Sequence, residues 1–496
     1  MGKFSTYRYL ELKDDSSAPN INIRSNRSLK PPRRLKKTFI LLIVAALCMT
    51  YFMGLFAGQT QWFDGLAKSL GYESERHYSV IIDAGSSGSR VLAYKFRVPF
   101  TLDQGLAKLY NVLNEIIAKY IPLDTRFKKL FGQPNLDLEE EYFEQSKPGL
   151  SSFADDPAKG ADTIVQLIKK AEFLTPLEKR RNTPLIIRAT AGLRLLPQEK
   201  ARKLLEAVSN AVGKLGYDTR AGIEIMDPAD EGIFIWYTIN LLHRSPTHGP
   251  FHYIMEGETM AALDLGGGST QITYQLTPQD AFKVPSKDLH VVPTSSANLT
   301  VYTHSYLGLG MLAARRGIFK SESGNDSVDI VSSCVEPIVS GEKWTYANVE
   351  YTISGASRPA NMKREAAFER CYKIVTSYVK ATLDWEPKHP PKGKVAAMSF
   401  FYEVAADAGL IDVMKGGTIS VSAYRQAALR ACGASNVEQP FACIDLSFCL
   451  ALLQQGYKIP DHSPVSLFKK VNGHEVSWAL GLAYTSVVNR LAEAKV

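Results

Sequence analysis

The chain has 496 residues, 45% of them hydrophobic, with 58 Lys/Arg against 50 Asp/Glu for a formal net charge of +8. That length gives room for two or more domains with ample core, and the apolar content excludes a wholly disordered chain. Ten of the Lys/Arg, against three Asp/Glu, lie in residues 1–37, so the rest is nearly neutral and the charge implies no nucleic-acid-binding groove.

The basic tail (1–37) ends in "PPRRLKK", and residues 38–58, "TFILLIVAALCMTYFMGLFAG", carry no charge. As a helix this run crosses about 30 Å of hydrocarbon and is predicted to be a transmembrane signal anchor. Lys/Arg on its N-terminal flank and a long polar part after it predict a type II orientation, with the body in a lumen or outside the cell. A cleaved signal peptide is the alternative, but the run is longer than a usual h-region and lies far from the start. "MGKFST" fits the N-myristoylation pattern and, with a span following, is read as chance. Residues 59–77 read as a polar stalk.

From Tyr78, strand and helix signals alternate. "YSVIIDAG" and "VLAYKFR" read as a strand pair around a Gly/Ser turn, and "TPLIIRATAG" as a further strand. "LPQEKARKLLEAVSNAVGKLGY" has helical spacing, "GIEIMD" is a strand, and "ADEGIFIWYTINLL" a helix. "MAALDLGGGSTQITYQL" then repeats the order strand, Asp, Gly-rich turn, strand, which suggests two similar lobes. Beyond about residue 300 helical stretches dominate, and "VSWALGLAYTSVVNRLAEA" reads as a closing helix.

The cysteines are Cys48, inside the expected span, and Cys334, Cys371, Cys432, Cys443 and Cys449. The absence of a CxxC pair argues against zinc. In an oxidising lumen we pair Cys334 with Cys371 and Cys432 with Cys443, leaving Cys449 in "LSFCLALL" as a buried thiol; other pairings stay open. Asn298 ("NLT") and Asn325 ("NDS") are sequons that suit the same topology, whereas Asn26 would be cytosolic.

Asp83 ends an apolar strand and is followed by Gly and Ser, whose backbone N–H groups and hydroxyls can converge on an anion. An Asx-type hairpin turn explains one such loop equally well. The second copy, "DLGGGSTQ", weighs toward phosphate: two donor loops facing each other suit a polyphosphate, and the two carboxylates, Asp83 and Asp264, suit a hydrated divalent cation. In "ADEG", Glu231 is a candidate base for water. A favourable carboxylate in the first helical turn is the plainer reading, and Asp230 could supply it as well.

In order, "IIDAGSSGSR", "IIRATAGLRLL", "IMDPADEGIFIW", "ALDLGGGSTQI" and "MSFFYEVA" resemble the five conserved regions of the apyrase family, the nucleoside di- and triphosphate diphosphohydrolases. The likeness runs from 78 to 490, and "YTHSYLGLGMLAARR", "PFACIDLSFCLALLQQGY" and "VSWALGLAY" resemble its ER/Golgi-lumenal nucleoside diphosphatase branch. The resemblance implies a two-lobed ribonuclease-H-like α/β fold of the actin/Hsp70 class, with lobe I at 78–228, completed by about 470–496, and lobe II at 229–469. It implies Glu231 as general base with Asp230 as a less critical neighbour, and Asp83 and Asp264 holding Ca²⁺ or Mg²⁺ through water. Ser269 and Gln271 would orient the attacking water, while Ser86, Ser87, Gly88, Gly267 and Gly268 would wrap the phosphates. Thr190 would contact the terminal phosphate or nucleophile, and Arg194 would support its loop.

In "SFFYE", Tyr402 and Phe401 are candidates to stack on a nucleobase, and plain core packing is the alternative for at least one of the aromatics. Pro228, with no N–H, puts in doubt any backbone contact before the base. Arg90 could reach phosphate or a carboxylate. His304 reads more readily as a structural histidine than as an acid.

The expected activity is divalent-dependent removal of the terminal phosphate of UDP or GDP in the secretory-pathway lumen, in support of glycosylation, with no nucleic-acid partner. A broader apyrase acting on triphosphates usually carries a second C-terminal span, and "NRLAEAKV" shows none. A non-catalytic nucleotide-binding protein is the third reading; Glu231, Ser269 and Gln271 argue against it.

Overall fold

The computed structural model describes residues 44–45, 68–69, 71, 73–98, 136–243, 259–293, 298–324, 327–359, 361–384, 387 and 391–493. The basic tail, all but Val44 and Ala45 of the expected anchor, and Asn325 lie outside them. Among the described residues no helix is long and apolar enough to cross a membrane.

β1 (Arg76–Ala84) is buried over its last seven residues, as expected of a strand covered on both faces. It pairs antiparallel with β2 (Ser89–Arg97), which pairs antiparallel with β3 (Asp137–Ser146). On its other side lie two parallel strands, β4 (Leu185–Ala189) and β5 (Ile223–Ile225), giving the order β3-β2-β1-β4-β5.

The second sheet is built from β6 (Ala261–Leu265), β7 (Ser269–Gln275), β8 (Leu289–Pro293), β9 (Asn298–Leu307), β13 (Val395–Ser399), β14 (Gly417–Ser420) and β15 (Pro464–Leu467). Its inner five strands run β9-β7-β6-β13-β15, with β6, β7 and β9 antiparallel and β6, β13 and β15 parallel. This repeats the topology of the first sheet, strand for strand, with β8 and β14 added at the edges.

Alternation along β1 sends Val80 and Ile82 into a core with helices α1 (Pro157–Ala171) and α2 (Gln198–Val212). Ile81 faces the other way, into a core with α3 (Pro228–Leu242) and α9 (Trp478–Glu493). That core also takes in Ala262, Val301, Ala396 and Met398 of the second sheet, so α3 and α9 lie sandwiched between the sheets. The far face of the second sheet is covered by α4 (Met311–Ser323), α5 (Arg364–Thr382), α6 (Phe400–Asp407), α7 (Val421–Cys432) and α8 (Ala442–Ala451).

Disulfides join Cys334 to Cys371 on α5 and Cys432, at the end of α7, to Cys443 on α8. Cys449 is a buried free thiol whose pKa is pushed up by burial.

Helices dominate beyond residue 300 as expected, but no sequence signal announced β9 or the three-stranded sheet of β10 (Asp329–Ser332), β11 (Glu342–Tyr346) and β12 (Val349–Gly355) among them. The hairpin between β11 and β12 turns at Ala347 and Asn348, with φ of 51° and 62°. Two left-handed residues at a hairpin tip are usually announced by Asn-Gly, and "AN" gives no such signal.

Candidate active site

β1 delivers Asp83 and β6 delivers Asp264 to the ends of their strands, and each hairpin turn that follows is rich in Gly or Ser. The turns approach each other closely. A Cβ on Gly267 would lie 2.8 Å from Ser86 Oγ, and one on Gly268 would lie 2.8 Å from Ala191 Cβ. The loop after β3 closes on the first turn as tightly, since a Cβ on Gly149 would meet the Gly85 carbonyl at 2.4 Å.

Glu231 enters from α3. Asp227 caps that helix by accepting from the Ala229 N–H at 2.8 Å, and Pro228 is its first residue. There the missing N–H costs nothing, because the first N–H groups of a helix have no partner inside it. Pro228 is thus a helix-starting residue and not part of the preceding loop. Gly232 lets α3 lie against β7 and β9: a Cβ there would sit 2.3 Å from Thr303 Oγ1 and 2.6 Å from Thr273 Oγ1.

These residues converge on one cavity of about 880 Å³, lined among others by Asp83, Gly85, Ser86, Ser87, Thr190, Glu231, Asp264, Gly266 and Gly267. Glu231 is only 7% exposed, yet it forms part of this wall. Burial pushes its pKa up to about 7; the Arg194 guanidinium pulls the other way, and the charges of Asp264 and Asp83 add to the push. Arg194 donates to Glu231 Oε2 at 2.9 Å. Asp83 and Asp264 are also raised by burial, and Asp83 raises Asp264 further.

Arg90 resolves as a carboxylate partner: its Nη1 donates to Asp83 Oδ2 at 2.9 Å. Asp83 Oδ1 is buried without a hydrogen-bond partner. An unsatisfied buried carboxylate oxygen is costly, and a cation-bound water would satisfy it. Among the described residues no cluster of three or more His, Cys, Asp or Glu could hold a metal directly.

Several expected residues stand elsewhere. Ser269 and Gln271 are buried and do not line the cavity; the Gln271 amide donates to Ser269 Oγ and Ser305 Oγ, both at 2.9 Å. Gly88 and Gly268 likewise lie off the wall, Gly88 against the Gln145 side chain. Phe401 is wholly buried in the core of the second sheet and presents no face to a base, the outcome expected for one of the three aromatics. Tyr402 lines the cavity and donates its hydroxyl to the Val413 carbonyl. Asp230 lies off the cavity wall and Glu231 on it, two carboxylates that their place in the first helical turn alone did not separate. His304 is held between Asp288 (2.8 Å) and Asp384 (3.1 Å), away from the cavity, as a structural histidine. Asn298 is exposed at the start of β9.

Sequence reasoning missed Phe468, Trp478, Lys147 and Lys469, which also line the cavity. Trp478 carried a signal, as a large aromatic in the closing helix, but nothing local tied that helix to the site. The same holds for the tip of the β11–β12 hairpin, where Asn348 donates to the Ser152 carbonyl at 2.9 Å, both residues lining the cavity.

The profile of the GDA1/CD39 (nucleoside phosphatase) family matches residues 69–386 and 423–496. The chain is 33% identical over 460 residues to the human nucleoside diphosphate phosphatase ENTPD5, covering 90% of this chain and 96% of that protein. It is 31% identical to the nucleoside-diphosphatase uda-1 of Caenorhabditis elegans, over 83% of this chain and 82% of the relative. A solved structure of nucleoside triphosphate hydrolases from Neospora caninum overlays with a TM-score of 0.49 at 14% identity, covering 86% of this chain and 95% of that one.

Proposed function

Because the chain belongs to the GDA1/CD39 (nucleoside phosphatase) family, we propose that its cavity hydrolyses the terminal phosphate of a nucleoside diphosphate, UDP or GDP, to give the monophosphate and orthophosphate. The observation that carries this reading is the convergence of Glu231, Asp83 and Asp264 with two touching Gly/Ser turns on one cavity.

Glu231 is the general base. Its carboxylate takes a proton from a water whose oxygen bonds to the terminal phosphorus, as the bridging P–O bond breaks and its electrons stay with the monophosphate. Arg194 fixes the orientation of that carboxylate through Oε2. Ser86 and Ser87 bring hydroxyls and backbone N–H groups to the phosphates, and Thr190, at the end of β4, brings a hydroxyl toward the terminal one. Ser269 and Gln271, committed to each other, hold the wall behind the base. Tyr402 offers the stacking surface for the nucleobase, with Phe401 as packing beneath it.

Asp83 and Asp264 would hold Ca²⁺ or Mg²⁺ through its waters, and the bound ion would neutralise phosphate charge as the bond breaks. Two lobes, 78–228 completed by about 470–496 and 229–469, are our reading of the repeated sheet order. We place the protein as a type II membrane protein of the ER or Golgi, with the site in the lumen, removing a diphosphate left by glycosyl transfer.

The deciding experiment is phosphate release from a panel of nucleoside di- and triphosphates, with and without a chelator, by wild type and Glu231→Gln. Diphosphates should be preferred, the chelator should abolish release, and the variant should lose about 10²–10⁴-fold in turnover. Equal turnover by the variant would remove Glu231 as the base, and equal use of triphosphates would make the protein a broader apyrase.

A further inference from the structure

Asp83 and Asp264 occupy equivalent positions in the two sheets. Across its hairpin Asp83 faces Arg90, and Asp264 faces Gln271. In the first sheet that neighbour does the holding, through the 2.9 Å bond to Asp83 Oδ2. In the second it does not, because the Gln271 amide is committed to Ser269 and Ser305.

Asp264 is held instead from its other side. Ser399, the last residue of β13, donates its hydroxyl to Asp264 Oδ1 at 2.7 Å. Its counterpart in the first sheet is Ala189: Leu265 pairs with Ser399 as Ala84 pairs with Ala189. The carboxylate that lacks an arginine has gained a serine on the adjoining strand, and the carboxylate that has the arginine has none there.

The backbone of Ser399 makes the substitution informative. It sits at φ 55°, ψ −125°, between the end of β13 and the start of α6. L-residues rarely adopt that conformation, which glycine accepts without strain, and such outliers persist where the surrounding structure imposes them. What serine adds over glycine at this point is a hydroxymethyl group, and its hydroxyl reaches the Asp264 carboxylate.

We propose that Ser399 is the positioning residue for Asp264, fixing the second carboxylate with a neutral hydroxyl where Arg90 fixes the first with a cation. Arg90 holds Asp83 in an ion pair, whereas the partner that orients Asp264 is a neutral hydroxyl, which leaves its second oxygen to face the waters of a divalent cation. This rests on the reading of the two carboxylates as a hydrated-cation site.

The test follows thermal unfolding of the full-length protein against Mn²⁺ concentration, without nucleotide, for wild type, Ser399→Ala and Ser399→Gly. Both variants should need about tenfold more Mn²⁺ than wild type for half-maximal protection, the effect of losing a hydrogen bond to a charged group. Without cation, Ser399→Gly should unfold at a higher temperature than Ser399→Ala, because glycine releases the strain. Should Ser399→Ala fail to fold, Ser399→Gly decides alone. A wild type that Mn²⁺ does not protect overturns the cation site and this inference together. A protected wild type with a variant midpoint unchanged, in either variant, overturns the role of the hydroxyl only.

Discussion

Arg194 donates through Nη2 both to Glu231 Oε2 and to the Met226 carbonyl, each at 2.9 Å, so one guanidinium ties Glu231 to the chain just beyond β5. Of the influences on Glu231, it is the largest that lowers the pKa, opposing burial. In Arg194→Met the pKa of Glu231 should rise above 7. Activity at pH 6 should fall by about tenfold for each unit of that rise, with recovery toward pH 8.5. Matched pH–rate profiles check this, since damage to the fold alone would lower activity equally at every pH.

In the wild type the base must be ionised to accept a proton. With burial holding Glu231 near 7, kcat/KM should fall as pH drops below about 7 and level off above it. Stability should follow the opposite course. The folded chain keeps this proton where the unfolded chain, at the ordinary 4.5, has released it, so the wild type loses stability as pH rises from 4.5 through 7. Glu231→Gln should lack that decline, which melting curves across this range will show.

Gly232→Ala would place a methyl group against Thr273 and Thr303, whose hydroxyls are hydrogen-bonded to each other at 2.6 Å. Displacement of the start of α3 should cost about 1–3 kcal/mol in stability and move Glu231 off its line. Thermal unfolding and kcat measured on the same preparation should fall together.

Tyr402→Ala should raise KM for UDP and GDP about tenfold, as loss of one stacking surface does, while leaving hydrolysis of inorganic pyrophosphate unchanged. Tyr402→Phe, which loses only the bond to the Val413 carbonyl, should behave close to wild type. A pyrophosphate control that fell in parallel would place Tyr402 in the phosphate site.

The two disulfides close loops of different length, with sequence separations of 37 for Cys334–Cys371 and 11 for Cys432–Cys443. On loop-closure entropy, paired Cys→Ser substitution should cost about 4 kcal/mol for the first and about 3 kcal/mol for the second. Denaturant unfolding under non-reducing conditions measures both.

What the sequence carried well was local. An apolar run ending in Asp and a Gly/Ser turn forms the same unit twice, and the helical reading of "ADEGIFIWYTINLL" matches α3, although Asp227, read as the end of a strand, is the cap of that helix and Pro228 its first residue. What it could not carry was which way neighbouring residues face. Glu231 and Asp230 differ by one position, or about 100° of helix, and only packing against β7 and β9 decides which enters the cavity. The resemblance assigns Ser269 and Gln271 to orienting the attacking water; in the fold the Gln271 amide donates to Ser269 Oγ and to Ser305 Oγ, a link across β7 and β9 that only strand pairing reveals. Arg90 and Ser399 acquire meaning only through strand pairing, a long-range relationship in the case of Ser399 and Asp264. The β11–β12 hairpin stayed hidden because its turn uses Ala-Asn.

The repeated sheet order has a consequence for engineering. Each half of the duplication contributes one acidic hairpin, while Glu231, the base we propose, rides on α3, which shares one core with residues of both sheets. A fragment comprising either half would therefore carry an incomplete reaction centre and one bare greasy face. Minimisation of this enzyme has to begin from peripheral additions such as β8 and β14, because the chemistry belongs to the seam.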